Sequence, residues 1–457
     1  MENIRIRDIV EAVNGRLLCG DMETSLRHIS IDSRTMKGDD LFVPLIGENA
    51  DAHRFLSQAF ENGAAASLTS EHDTCPEGIT GALIRVEDTK KALQDIGRYI
   101  RSRLSLPLVG ITGSVGKTTT REMIAAALSA GYRTFKTPAN HNSQVGVPIT
   151  ISDISEADEI GVLELGMSEP GEMEVIADIA RVDTAVITNI GVTHIENLGS
   201  RENILKEKLR IQDGMKKGGT LFLNGDNELL RDVRAKDGCE TSFYGLGANC
   251  SYRAVNITYN GGRPAFDMVH GAAVVPVVLE VMGEHNILNA LAALAVADHY
   301  HVPLADAAEA LKTFDGFKNR QQIYEKGNIT IIDDTYNASP DSMKAGIRVL
   351  ASLTDRKRRI AVLADMKELG EDAPLFHYEI GAFLGEQPVE EVITYGALAK
   401  EIARGVEGKV KTTVFEEEQK EEMTEYLEKL LREGDAVLFK GSNSMKLGET
   451  AARFICC

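Results

Sequence analysis

Between Val109 and Thr120 the chain reads VGITGSVGKTTT, an apolar run that breaks into glycines and passes at once into a helix-forming segment. A strand that turns through glycines into a helix presents inward-facing backbone N–H groups at a helix N-terminus, and this arrangement attracts a polyphosphate. Gly113 and Gly116 leave room for close approach, Lys117 supplies an ammonium, and Thr118 supplies a hydroxyl able to hold Mg²⁺. The strict G-x-x-x-x-G-K-[ST] spacing would require glycine where Ile111 stands, so the loop is a variant of that form. The segment predicts ATP or GTP binding and a parallel sheet around it, and it leaves the reaction open.

At 457 residues the chain is long enough for about three domains. The first hundred residues mix short apolar runs (HISI at 28–31, LFVPLIG at 41–47, ALIRV at 82–86) with helical patterns at 53–62 and 89–103, as in a small α/β domain. From Leu106 the order is strand, loop, helix. The helix predicted over 118–130 puts Met123, Ile124, Ala127 and Leu128 on one face and stops at Gly131. Apolar runs at 160–165, 184–190 and 220–224 continue a mostly parallel sheet covered on both faces. Residues 252–279 alternate around Gly261-Gly262 and predict an inserted β-hairpin, and an Ala-rich helix follows over 286–300. Beyond Asn319 the runs ITIIDD, IAVLAD, VITYG, TTVF and DAVLFKG alternate with helical segments, a second doubly wound unit. The glutamate run 416–422 reads as a solvated helix face. The fold class is α/β, with units over 1–104, 105–318 and 319–457.

With 50 Lys and Arg against 69 Asp and Glu, the net charge is −19, which disfavours a nucleic-acid backbone as partner. No run of about 18 apolar residues is present, and charges occupy the first eight positions where a signal peptide would begin its apolar stretch, so the expectation is a cytoplasmic protein away from membranes. The six cysteines show no CxxC or zinc spacing and are expected to be reduced, with the Cys456-Cys457 end frayed.

Two further residues suggest chemistry. Glu164 ends the apolar run GVLEL, at the sheet edge where ligands bind, and a carboxylate among apolar neighbours needs a partner such as the metal held by Thr118. His194 follows another strand end by a few residues and could serve as a metal ligand or a phosphate contact. Lys206 and Lys208, on a helix beginning near Ser200, read by themselves as solvated lysines.

Taken together these segments resemble the Mur ligase family, ATP-dependent enzymes that build the peptide stem of bacterial peptidoglycan. The segments are TGSVGKTTT, ELGMSEPGEM, NIGVTHIENLGS and GEHNILNALAA, with IDSR and FVPLIGENADAH in the first hundred residues. In the last unit IDDTYNASPDSM, LADMKELG and LFKGSNSMKLG are similar to the member that closes the series. The resemblance implies a central P-loop domain between a UDP-sugar-binding domain and a C-terminal Rossmann-like domain. It implies addition of D-alanyl-D-alanine to the tripeptide carboxylate of UDP-N-acetylmuramoyl-tripeptide, through an acyl phosphate, by a monomer using ATP and Mg²⁺.

Carried onto this chain, the family pattern assigns the loop Thr112, Gly113, Ser114, Val115, Gly116, Lys117, Thr118 and Thr119 to the phosphates. It assigns Asn286 and Asn289 to adenine, and Arg320 and Asp334 to triphosphate and ribose. Thr118, Glu164, His194 and Lys208 would hold metal, Lys208 as a carbamate, and Lys117, Glu164, His194 and Lys208 would be catalytic. Ser33, Arg34, Asp51, His53, Asn140 and Asn142 would meet the muramyl nucleotide. Asn337, Ser339, Lys440 and Ser442 would meet D-alanyl-D-alanine, Lys440 because the dipeptide carboxylate needs a cation. Gly316 is a candidate hinge for the swing of the last domain. The alternatives are another amino-acid-adding ligase on this scaffold, acting on a muramyl peptide or folate, and a P-loop nucleotide-binding regulator. The absence of DNPR and NKxD motifs counts against the diaminopimelate-adding relative and a GTPase respectively.

Overall fold

The computed structural model of the chain describes residues 1, 4–47 and 50–456. Glu48 and Asn49 of FVPLIGENADAH, and Cys457 of the expected frayed end, lie outside the described residues.

The segment LVGIT forms the strand Leu108–Thr112 with every residue buried, as continuous apolar runs do when both faces of a sheet are covered. It lies between Ile160–Glu164 and Thr184–Ile187, parallel to both. Three strand ends therefore sit side by side, with Glu164 opposite Ile111 and Ile187 opposite Thr112. The sheet extends on one side to Thr134–Lys136 and on the other through Thr220–Asn224, Glu240–Gly245, Tyr252–Asn260, Arg263–His270 and Ala273–Val278, nine strands in all. The expected hairpin turns at Gly261-Gly262, but it is not a separate insertion: its first strand pairs with Glu240–Gly245 and carries the main sheet outward. The phosphate-loop helix, Lys117–Leu128, buries Met123, Ile124, Ala127 and Leu128 in one core with the Ala-rich helix His285–His299.

Before this sheet stands a five-stranded one, ordered Arg16–Cys19, Ala82–Arg85, Ala64–Thr69, Asp40–Phe42, His28–Ser30. The helix Thr89–Arg103, started by the Asp88 side chain on the Lys91 N–H, shares a core with both sheets. From it the buried Arg101 donates to the Ala180 and Arg181 carbonyls at 2.8 and 3.0 Å, fastening this unit to the central one. Cys19 and Cys75 form a disulfide with Cα atoms 5.9 Å apart, which corrects the expectation that all thiols are reduced. Pairing of Arg16–Cys19 against Ala82–Arg85 brings together cysteines 56 residues apart, a proximity that spacing alone does not reveal.

The last sheet has six strands, ordered Gln322–Lys326, Ile329–Asp334, Asp435–Lys440, Arg358–Ala364, Glu391–Tyr395, Lys411–Phe415, all parallel except the first. Its unit rests on the central one: Val192 and Met282 pack into its core, and the Arg121 guanidinium stands over the Phe317 ring, 5.5 Å from the centroid. Glu416–Glu418, Glu421 and Glu422 are exposed, a solvated face as expected. Among the described residues no helix is long and apolar enough to cross a membrane.

Candidate active site

The carboxyl ends of the central strands face those of the last sheet across a cavity of about 440 Å³. On the central wall, Gly113 has φ +151°, and a Cβ there would stand 1.8 Å from Thr188 Oγ1, so only glycine fits. Asn189, at the next strand's end, fixes the loop by accepting the Ser114 N–H on its carbonyl (3.1 Å) and the Val115 N–H on Oδ1 (2.8 Å). The first-turn N–H groups at Lys117, Thr118 and Thr119 have no acceptor within the helix and border the cavity. Lys117 Nζ donates to the Gly113 carbonyl at 2.8 Å. Burial lowers the Lys117 pKa, Glu164 works against that, and Arg320 adds to it. Thr112 is fully buried beneath the loop, with Oγ1 lacking a partner among the described residues.

Glu164 is 2% exposed and anchored on both oxygens. Oε2 accepts from Thr118 Oγ1 at 2.9 Å and Arg121 Nη1 at 3.2 Å, and Oε1 accepts from Asn142 Nδ2 at 2.8 Å. Arg121, 1% exposed, also donates to Glu122 Oε1 (2.5 Å) and the Ala139 carbonyl (2.8 Å), so one buried cation serves two carboxylates. His194 lines the same cavity in a left-handed backbone conformation, with Nδ1 2.5 Å from Glu368 Oε2 of the last unit. That contact, more than the opposing effect of burial, lowers the Glu368 pKa. Lys208 is not the solvated lysine its helix pattern suggests. It is 1% exposed, with no carboxylate within ion-pair distance among the described residues, and burial followed by Lys117 holds its amine well below the ordinary lysine range.

The facing wall carries Arg320, stacked on Tyr336 with its carbon Cζ 3.9 Å from the ring centroid. Asp334 and Lys440, register partners on neighbouring strands, form an ion pair at 2.7 Å, and Lys440 donates also to the Asn337 carbonyl at 3.0 Å. Lys440 borders the cavity with its charge paired to Asp334 inside the fold. Burial raises the Asp334 pKa against the pull of Lys440. Asn337 and Ser339 border the cavity. Ser442 does not: its Oγ accepts the Lys367 N–H at 2.9 Å and holds the loop that presents Glu368. Asn286 and Asn289 border the cavity with their amides joined to each other at 2.9 Å, while Asn289 Oδ1 also accepts from Thr120 Oγ1 at 3.0 Å. These asparagines stiffen the phosphate loop besides facing the space above it.

The first-unit candidates lie apart from this cavity. Ser33 Oγ donates to Gln58 Oε1 at 2.8 Å, and the exposed Arg34 pairs with Asp32 at 2.7 Å. Asp51 faces His53 Nδ1 at 2.6 Å, and His53 Nε2 accepts the Ser70 N–H at 3.0 Å. Asp51, His53 and Glu71 lie close enough to resemble a metal cluster, but with Nε2 accepting the Ser70 N–H the ring proton sits on Nδ1, which faces Asp51 as a donor and not as a metal ligand. Asn140 is exposed and outside the cavity, whereas Asn142 lines it. Ser143 Oγ lies near the Val145 and Gly146 N–H groups, at 3.4 and 3.3 Å.

Sequence reasoning missed Arg121, Asn189, His285 and Glu368. Asn189 stands within the quoted NIGVTH segment and Glu368 within LADMKELG, so the motifs held them without indicating what they touch. Several buried polar atoms at the cavity, Thr193 Oγ1, Arg320 Nε and Gln321 Oε1, have no partner among the described residues, which fits a polar ligand between the walls. The arrangement combines a phosphate cradle, a carboxylate beside a hydroxyl, and cations on both walls.

Residues 25–101 match the Mur ligase family catalytic domain, 111–297 the Mur ligase middle domain, and 319–443 the Mur ligase glutamate ligase domain. UDP-N-acetylmuramoyl-tripeptide–D-alanyl-D-alanine ligase of Bacillus subtilis is 37% identical over 449 residues, 97% of this chain and 96% of that protein. The crystal structure of MurF from Acinetobacter baumannii superposes with a TM-score of 0.90 at 28% identity, covering 99% of both chains. MurF ligase from Thermotoga maritima in complex with ADP gives 0.81 at 28% identity, covering 94% of this chain and 97% of that one.

Proposed function

The chain belongs to the Mur ligase family, and we propose that it joins D-alanyl-D-alanine to UDP-N-acetylmuramoyl-tripeptide, converting ATP to ADP and phosphate. The observation that carries this reading is the cavity with a phosphate loop on one wall and Arg320 on the other, in a chain matched over nearly its whole length by ligases of that activity. Lys117 and the first-turn N–H groups bind the β and γ phosphates and orient the terminal one toward the substrate carboxylate. Arg320, held flat by Tyr336, adds positive charge from the far side as charge redistributes in phosphoryl transfer. Asp334, with one oxygen held by Lys440, offers the other to the ribose, and Asn286 and Asn289 border the adenine.

Thr118 Oγ1 and the Glu164 carboxylate form an oxygen pair suited to Mg²⁺, and His194 with a carbamylated Lys208 would complete a second position. The fit of Lys208 is chemical: a neutral amine is what CO₂ adds to, and burial lowers the pKa of this amine and so favours that form. Held by these residues, Mg²⁺ would supply positive charge against the repulsion between phosphate and carboxylate. Asn337 and Ser339 meet the incoming dipeptide, and the excluded water protects the acyl phosphate from hydrolysis until the amine captures it. Ser33, Arg34, Asp51 and His53, within a unit over 1–104, belong to the platform for the muramyl nucleotide, in a cytoplasmic enzyme.

The test is product formation. With ATP and Mg²⁺ the protein should release ADP and phosphate only when the muramyl tripeptide nucleotide and D-alanyl-D-alanine are both present, and mass spectrometry should find the pentapeptide nucleotide. ATP hydrolysis indifferent to both acceptors would overturn the reading.

A further inference from the structure

A metal-binding histidine is ordinarily oriented by a second group on its other ring nitrogen, most often a carboxylate or a carbonyl. His194 Nδ1 is shielded from solvent and makes no aligned hydrogen bond among the described residues, and Glu368 Oε2 stands 2.5 Å from it at ion-pair distance. The carboxylate does not come from the histidine's own unit. Glu368 sits on the loop after the strand Arg358–Ala364 of the last sheet, and both residues hold left-handed backbone angles, φ +64° at His194 and φ +63° at Glu368.

That loop is preset by its own unit. The Met366 N–H donates to His377 Nε2 at 2.8 Å, and the Lys367 N–H donates to Ser442 Oγ at 2.9 Å. His377 is fully buried, with Nδ1 2.6 Å from the Ala373 carbonyl, which places its proton on Nδ1 and leaves Nε2 as the acceptor. Across the boundary the loop meets the His194 segment again, where the Glu196 N–H reaches the Glu368 carbonyl at 3.4 Å.

We infer that Glu368 is a positioning residue for His194, delivered by the last unit, so that the histidine's metal or phosphate contact is completed only when that unit is seated. With Nδ1 facing the carboxylate, Nε2 is left for the cavity His194 lines, and the ring cannot turn without losing the contact. The seating of one unit on another thus becomes a condition on the chemistry. This rests on the reading of His194 given under the proposed function.

Glu368 is half exposed, so Glu368→Ala should fold. With a non-hydrolysable ATP analogue and the muramyl tripeptide nucleotide, Mn²⁺ titration followed by electron paramagnetic resonance should find two ions on the wild type. In Glu368→Ala the weaker ion should lose affinity on the order of 10–100-fold while the tighter one is unchanged. Turnover should fall with KM for ATP nearly unchanged, and Glu368→Gln, whose amide oxygen still accepts, should recover much of both losses. Two Mn²⁺ ions bound by Glu368→Ala with wild-type affinities would overturn the inference. The titration reads the ion and not the product, so a wild type that makes no pentapeptide nucleotide would defeat the proposed reaction while the Mn²⁺ affinities still decide this pairing.

Discussion

Arg121 is the residue on which the buried electrostatics of the site turn. Removing one partner of a buried charge cluster leaves the others uncompensated, at a cost of about 3–5 kcal/mol. Arg121→Met, which takes the ion-pair partner from Glu164 and leaves Glu122 with Lys136 alone, should lower unfolding free energy by about that amount in urea titrations. Lys208→Ala should abolish ligation, and ¹³CO₂-labelled wild type should give a carbamate resonance that the variant lacks; full activity in the variant would remove the carbamate. His285 sets a pH dependence. Burial first, then Lys440, lowers its pKa from 6.5 to about 4, so the unfolded chain takes the proton before the folded one as pH falls. Stability should drop progressively from pH 6.5 to about 4, by up to about 3 kcal/mol from this residue, and be unaffected by it above that window. His285→Gln should flatten that slope in denaturation curves collected across the range. None of these three environments can be seen in the residues themselves. Arg121-Glu122 reads as an adjacent surface pair, and Lys208 lies on a helix whose other lysine is an ordinary one.

At the level of elements, the phosphate loop was legible because strand, glycine turn and helix are consecutive in the chain and local chemistry dictates all three. Glu164 was legible for a similar reason, a carboxylate closing an apolar strand. What depends on register was hidden: Asp334 and Lys440 face each other only because their strands pair in parallel, and Cys19 meets Cys75 only through the packing of the first sheet. The motif around Ser442 gives no sign that its hydroxyl also holds the loop after Ala364. The loop itself yields a sharp expectation. Gly113→Ala adds a methyl where Thr188 Oγ1 already stands and forces an L side chain to φ +151°, so the strand-to-helix turn must open. ADP affinity should fall by at least about tenfold by calorimetry, the equivalent of the 1–3 kcal/mol of such strain.

For the whole molecule, the site exists only where two sheets confront each other, and the chain crosses between them near Gly316. That residue has φ +119° with open space where a Cβ would lie, so its freedom is one of backbone angle and not of room. Gly316→Ala should disfavour the seated arrangement by about 1–3 kcal/mol. Small-angle scattering with ADP and muramyl nucleotide should then give a larger radius of gyration than the wild type, with slower turnover; an unchanged profile would assign the hinge elsewhere.

The cavity between the sheets has one wall on each, and neither wall alone carries both the phosphate cradle and Arg320. A compound lodged as a wedge along that seam would need to mimic neither the nucleotide nor the dipeptide. It would only have to prop the jaws apart by a few ångströms, and because the nucleotide bridges both walls, each would weaken the other's binding.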